Sequence, residues 1–350
     1  MRHLLPHANA CAQVAAWCLV RALLIQFTTN LSQLGRQAER ATSAKVARQF
    51  FDRWLARSHW EPETIYAHLP RRVRRVLGRR GCLAILMDFT YLQNEWAVLQ
   101  ASVDWQCRAL PLYRAVLRRQ QGPEKGGESA LVYQACQWLH EHLPGPPSRY
   151  VLVMDRGMPS HRLIRKVTAA GWRFVFRVRD EWKIAHATYT GALRDAVAVE
   201  GLVGPRPRLL PDARLGQKGK GKDTWSRANV VLYHGIGHKE PWLLVTSEAR
   251  AARTVAIYRQ RMRIECAFRD VKGPWGLDAL AAWEDVHDVA RFLAWVAVYE
   301  WRLAYVWLFH RLQQWRPQVQ LKGKLSWITI TREWFQHQIR RAALQSPLLA

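Results

Sequence analysis

The chain has 350 residues, with 53 Lys and Arg against 27 Asp and Glu, for a formal net charge of +26. Hydrophobic residues make up 49% of it and 18 are Trp, which excludes a disordered basic tail and points to a packed, folded protein. So large a positive excess on a folded chain selects a polyanionic partner, of which nucleic acid is the commonest, and the length leaves room for two or three domains.

Residues 1–70 have helical periodicity, clearest at Ala10–Leu34 and Ser43–Ser58. Residues 1–26 faintly resemble a secretion signal, but Arg21 interrupts the apolar part and the segment reads as helix. The run PRRVRRVLGRR follows, from Pro70 to Arg80; its arginines suit contact with a phosphate backbone or an exposed basic segment. From 82 to 118 the texture becomes strand-like: CLAILMDFTYLQ, WAVLQASVDWQ and RALPLYRAVLR are separated by short polar breaks. A Gly/Pro loop precedes an amphipathic helix at Glu128–Leu143, and then come a strand (Tyr150–Met154), a helix (Ser160–Ala170) and a strand (Trp172–Val178). That order predicts a mixed α/β fold.

Between 181 and 249 the chain is rich in Gly, Pro and Lys, with GQKGKGK at Gly216–Lys222 and short strand candidates NVVLYH and WLLVTS. It reads as a β-rich insertion with a basic loop. The apolar run from Val286 to Phe309 contains Arg291, Glu300 and Arg302, so it predicts a buried helix and not a membrane span. These changes divide the chain into a helical region 1–78, a core 79–180 resumed at 250–283, an insertion 181–249 and a helical region 284–350. The cysteines (Cys11, Cys18, Cys82, Cys107, Cys136 and Cys266) form no CxxC pair and read as free thiols in a reducing compartment.

The chemistry concentrates in YRQRMRIECAFRDVK. Read as one helix, it advances about 100° per residue and places Tyr258, Arg261, Glu265 and Lys272 on a stripe roughly 60° wide, which Arg269 joins. Ile264, Ala267, Phe268 and Val271 gather on the opposite side. Two aspartates stand at the ends of apolar runs: Asp88 in LAILMDF and Asp155 in VLVMDRG. A carboxylate in a sheet core is costly unless paired or metal-bound, whereas ligands gather at the carboxyl ends of strands in open α/β sheets. For Asp155 a strand-ending turn before Gly157 remains an alternative. With Glu265 the two aspartates make an oxygen-only set of the kind that suits Mg²⁺ or Mn²⁺.

These blocks resemble the DDE transposases of bacterial insertion sequences, specifically the insertion-sequence-four family. Its YREK signature, Y-x2-R-x3-E-x6-K, is met by Tyr258, Arg261, Glu265 and Lys272, and MDFTYLQ, VMDRG, GWRFVFRVR and PWLLVTSE resemble the surrounding blocks in the same order. The resemblance spans about 80–275. It implies a ribonuclease-H-like mixed α/β sheet core with a β-rich insertion, flanked by helical N- and C-terminal regions. It further implies that Asp88, Asp155 and Glu265 are catalytic ligands of two Mg²⁺ ions (Mn²⁺ substituting), and that Tyr258, Arg261 and Lys272 hold DNA phosphates. Arg177 and Arg179 match a DNA-contacting strand, or form an exposed strand face. Trp242 matches a residue that stacks on a flipped base, or is a core Trp. The implied activity is cut-and-paste transposition: binding of terminal inverted repeats, cleavage through a hairpin and joining to target DNA, by a homodimer on double-stranded DNA in the bacterial cytoplasm, associated with the nucleoid and not with a membrane. A related nuclease or resolvase, and a non-catalytic domesticated DNA-binding protein, are the rival readings.

Overall fold

The computed structural model describes residues 61–71, 73 and most of 82–305, together with scattered residues between 13 and 56; residues 106–107, 120–126, 197–198, 200–202, 217–224, 273–275 and 306–350 lie outside the description. Most of the Pro70–Arg80 arginine run, the Lys-rich loop and the far C-terminal region therefore fall outside the described residues.

The three strand-like runs form β1 (Leu83–Leu92), β2 (Trp96–Trp105) and β3 (Arg108–Arg118), paired antiparallel in succession. The tight turn between β1 and β2 has Gln93 and Asn94 at positive φ, a conformation Asn tolerates better than most residues. Then follow helix α1 (Gly127–His142), strand β4 (Tyr150–Met154), helix α2 (His161–Ala169, capped by the Ser160 side chain) and strand β5 (Arg173–Arg177). β1, β4 and β5 run parallel to one another, and β1 and β4 read as near-continuous apolar runs because helices cover both faces. Strands β6 (Lys183–His186), β7 (Tyr189–Ala192), β8 (Arg208–Gly216), β9 (Trp225–Tyr233) and β10 (Trp242–Thr246) continue the same sheet, in the order β3-β2-β1-β4-β5-β10-β9-β8-β6-β7. The predicted insertion strands thus extend the sheet from β5 outward.

Strand alternation divides the core. Ile85, Met87, Leu152, Met154, Phe174 and Phe176 face one cluster, with residues of α1, α2 and the long helix α5 (Val286–Tyr305). Ala84, Leu86, Val151, Val153, Val175 and Leu244 face the other, with Val255, Tyr258 and Ile264 of two consecutive helices, α3 (Ala251–Arg259) and α4 (Met262–Lys272). By the same period of two, Asp88, Asp155 and Arg177 point to the α3–α4 side.

The segment YRQRMRIECAFRDVK is not the single helix its periodicity predicts. It breaks at Gln260–Arg261, where Gln260, Arg261, Arg263 and Ile264 donate to carbonyls three residues back. The predicted apolar side holds: Ile264 and Val271 are buried, and Ala267 and Phe268 pack on the second cluster.

Helix α5 is the apolar run questioned as a membrane span. No helix among the described residues is long and apolar enough to cross a membrane. Its Glu300 is buried and pairs with Arg114 of β3 at 2.5 Å, and Arg114 also donates to Gln100 and to the Leu293 carbonyl. Each charge so removed from water needs these partners.

Helix α2 is fastened to the extended sheet by His161. Its ring stacks on Trp182 at 4.1 Å, and its Nδ1 meets Ser226 Oγ at 3.0 Å. Burial, with Arg165 nearby, pushes this imidazole down to about 4 from its ordinary 6.5. Above pH 6.5 the ring is neutral folded or unfolded; below it the unfolded chain takes a proton that the folded chain refuses, so stability falls until about pH 4. His161→Phe keeps a ring on Trp182 but cannot titrate. Its melting temperature, measured beside wild type from pH 8 to pH 4, is expected to fall less steeply below pH 6.5; parallel curves would contradict the assignment.

Candidate active site

The parallel pairing of β1 and β4 sets the site. Met87 pairs with Met154, so the next residues, Asp88 within β1 and Asp155 just after β4, stand at the same level and on the same face. Each carboxylate caps the backbone N–H that follows it: Phe89 N donates to Asp88 Oδ1 at 2.8 Å, and Arg156 N to Asp155 Oδ1 at 2.8 Å. On the far side of β4, Met154 pairs with Phe176, which brings Arg177 level with Asp155; their side chains lie 3.8 Å apart.

The α3–α4 pair closes over this edge. Tyr258, on the last turn of α3, donates its hydroxyl to Asp155 Oδ1 at 2.8 Å. Arg261, in the break, reaches all three acidic residues: Asp88 at 3.1 Å, Asp155 at 3.5 Å and Glu265 at 2.5 Å. The structure therefore joins Asp88, Asp155, Glu265, Tyr258 and Arg261 in one network. Lys272, near the C-terminal end of α4, donates to the Tyr91 carbonyl of β1 at 2.5 Å and holds α4 against that strand. Arg269 stands on the exposed side with Cys266 Sγ at 3.2 Å and does not enter the network. Arg179 is exposed and lies 3.8 Å from Glu181.

The electrostatics follow from burial. Burial pushes Asp88 up to about 6; Arg261 and the Phe89 N–H pull it back, and Asp155 and Glu265 add to the rise. Burial, then the Asp155 charge, holds the Tyr258 phenol well above its usual range. Burial opposes the charge on Arg261, but its acidic neighbours outweigh it and fix the guanidinium as a cation.

Trp242 begins β10 and packs edge-on against Tyr258 at 4.8 Å, beside His238 at 4.5 Å and Tyr233 at 5.6 Å. It is half-buried, at the wall of a cleft of about 520 Å³ that Arg156, Arg177, Lys239, Tyr258 and Arg261 also line. An adjoining cleft of about 690 Å³ is lined by Arg156, Arg177, Arg179 and Arg194 among others. Several lining residues were not singled out from sequence, among them Arg156, His238 and Glu240. Arg156 could have been, since it directly follows Asp155; Glu240 could not, because only the β5–β10 pairing brings it to Arg177.

The chemistry of the donor set can be compared with a metal site. Three carboxylates from three elements, with no nitrogen or sulfur donor among them, are ligands of the type a hard divalent cation takes. Among the described residues no group of His, Cys, Asp or Glu closes tightly enough to hold an ion. The three carboxylates instead share the Arg261 guanidinium, which lies between them as their common cation.

Residues 113–301, more than half of the chain, match the family model described as Transposase DDE domain, and the chain belongs to that family. The matched segment begins in β3, so it includes Asp155 and Glu265 but not Asp88. A search of curated proteins finds no match. Among solved structures, the cryo-EM structure of a piggyBac transposase synaptic complex with hairpin DNA is similar, at 11% identity and a TM-score of 0.43, over 97% of this chain and 74% of that one. As a member of the family the protein is a transposase, an enzyme of nuclease and strand-transfer chemistry.

Asp88 provides a check on the site that needs no substrate. Burial lifts it to about 6, above its ordinary 3.8, so its contribution to stability is present at low pH and is lost as pH rises from about 4 to 6. Asp88→Asn is therefore expected to melt about 2–4 °C higher than wild type at pH 8 in chelator, with the gain shrinking to nothing near pH 4. A loss of stability at pH 8 would show that the carboxylate is adequately compensated in the metal-free protein.

Proposed function

We propose that this transposase is a cut-and-paste enzyme of the insertion-sequence-four type, with Tyr258, Arg261, Glu265 and Lys272 as its YREK residues. Asp88, Asp155 and Glu265 would hold two Mg²⁺ ions, for which Mn²⁺ could substitute. The observation that carries this reading is the convergence of those three carboxylates on one guanidinium, with Asp88 and Asp155 just beyond the last parallel pair of β1 and β4. The β3-β2-β1-β4-β5 half of the sheet supports a ribonuclease-H-like core, with 181–249 as its β-rich insertion and 1–78 and 284–350 as flanking helical regions.

The substrate in this reading is double-stranded DNA at the terminal inverted repeats of an element. Divalent ions, when bound, polarise the attacking and leaving oxygens of the phosphodiester. The protein's own groups do the rest. The paired strands β1 and β4 hold Asp88 and Asp155 at a fixed separation. The break between α3 and α4 lets Arg261 turn from the carboxylates toward a DNA phosphate while Tyr258 keeps Asp155 oriented. Lys272 fixes α4, and with it Glu265, against β1. Arg177, Arg179 and Lys272 supply positive charge for the backbone, and Trp242, at the rim of the cleft, receives a base unstacked near the cleaved end. The same site then serves nicking, hairpin formation and joining, since each is an in-line attack on phosphorus. Two ends cut together imply a homodimer on DNA, acting in the cytoplasm at the nucleoid. The rival reading is a nuclease that cuts without joining.

The test uses a short duplex carrying the element's own end, with Mg²⁺ and a target plasmid, resolved on denaturing gels. Nicked, hairpin and joined products are expected; cleavage without joined product selects the nuclease. Asp88→Ala, Asp155→Ala and Glu265→Ala should each lower cleavage by at least about 10³-fold, with end binding changed by less than about tenfold. Near-normal cleavage by any of them removes that residue from the site. Trp242→Ala should let nicked DNA accumulate while little hairpin forms, because only the hairpin step needs an unstacked base. Equal effects on both steps would make Trp242 a packing residue.

A further inference from the structure

Next to the carboxylate network, the cleft contains an anion held where a substrate anion would bind. Glu240 Oε2 accepts from Arg156 at 2.8 Å and from Arg177 at 2.9 Å. Two guanidiniums on one oxygen are the contact arginine makes with a phosphate oxygen as readily as with a carboxylate. The two cations stand on the rigid part of the molecule. Arg156 directly follows β4 and gives its backbone N–H to Asp155; Arg177 ends β5 and lies 3.8 Å from Asp155. The anion does not. Glu240 belongs to the turn between β9 and β10, which carries Gly237 at φ +80° and the almost fully exposed Ile236. The Glu240 side chain is 52% exposed against 13% for Arg177, and ion pairs this open to solvent contribute little to folding. Both clefts beside the site include all three residues in their walls.

We propose that Arg156 and Arg177 form a subsite for one backbone phosphate adjoining the cleavage position, and that Glu240 occupies it in the DNA-free protein and is displaced when DNA enters. The subsite rests on the reading of DNA as the substrate. It adds Arg156 to the DNA-contacting residues and makes the β9–β10 turn, which leads directly into Trp242, the element that gives way. Glu240 offsets part of the cleft's positive charge until a polyanion replaces it, so that in the free protein Arg156 and Arg177 share one carboxylate.

The experiment measures affinity for a short random-sequence DNA duplex, in EDTA so that no cleavage occurs, by fluorescence anisotropy. Glu240→Gln removes the competing charge and is expected to tighten binding about three- to tenfold. Glu141→Gln makes the same charge change on α1, where the neighbour is the neutral Gln137, and is expected to change binding by less than twofold. Combined with Arg156→Gln, the gain from Glu240→Gln should shrink to less than half, because one of the two freed guanidiniums is gone. Glu240→Ala serves as a second variant, and each protein's melting curve verifies that it is folded. No gain, a gain equal to that of Glu141→Gln, or a gain undiminished by Arg156→Gln would each overturn the proposal. If the gain appears but wild type neither cleaves nor joins its own end DNA with Mg²⁺, the subsite stands and the reading of the reaction falls.

Discussion

One buried guanidinium ties the site together. Arg261 reaches Asp88, Asp155 and Glu265, residues drawn from two strands and a helix that are far apart in the chain. Like charges about 4 Å apart repel by about 4 kcal/mol at the effective dielectric of a protein surface, so three carboxylates do not gather without a cation. Arg261 contacts all three carboxylates and Arg177 approaches Asp155 at 3.8 Å, while burial, with a smaller push from Asp155 and Glu265, holds the Asp88 carboxyl up near 6. Under the proposed function, divalent cations would add to that positive charge.

Everything around that centre is arranged by sheet register. Parallel pairing of Met87 with Met154 and of Met154 with Phe176 sets Asp88, Asp155 and Arg177 side by side, and a period of two turns all three toward α3 and α4. Antiparallel pairing of β10 with β5 then brings Trp242, Glu240 and the β9–β10 turn to the same edge. The result is an acidic centre with a basic and aromatic rim, on a chain with a formal charge of +26. Under the proposed function, long-range attraction of a polyanion would belong to the rim and the net charge, and chemistry to the centre.

The parts legible in the sequence were those that local pattern controls. Apolar runs gave β1, β4 and β5 within a residue or two, and a carboxylate ending an apolar run marked Asp88 and Asp155 without a structure. The spacing of Tyr258, Arg261 and Glu265 correctly put them on one side, although the helix breaks between them. A shift to bonds three residues back displaces the phase by only a fraction of a turn, so periodicity cannot see the break. What stayed hidden depends on pairing between distant strands. Glu240 sits in an unremarkable turn, and nothing in its neighbours announces that β10 will lie beside β5. Nor does periodicity report that the strands after β5 extend the same sheet, since edge and centre strands differ in partners more than in pattern.

The most direct test of the central claim is metal-directed cleavage of the protein backbone. Fe²⁺ with ascorbate releases hydroxyl radicals at a bound ion, and the cut positions map its ligands. Cuts are expected near residues 88, 155 and 265 together, suppressed by excess Mg²⁺ and lost in Asp155→Asn. Cuts elsewhere, or cuts near these residues that Mg²⁺ does not suppress, would show that the three carboxylates do not form one divalent-cation site.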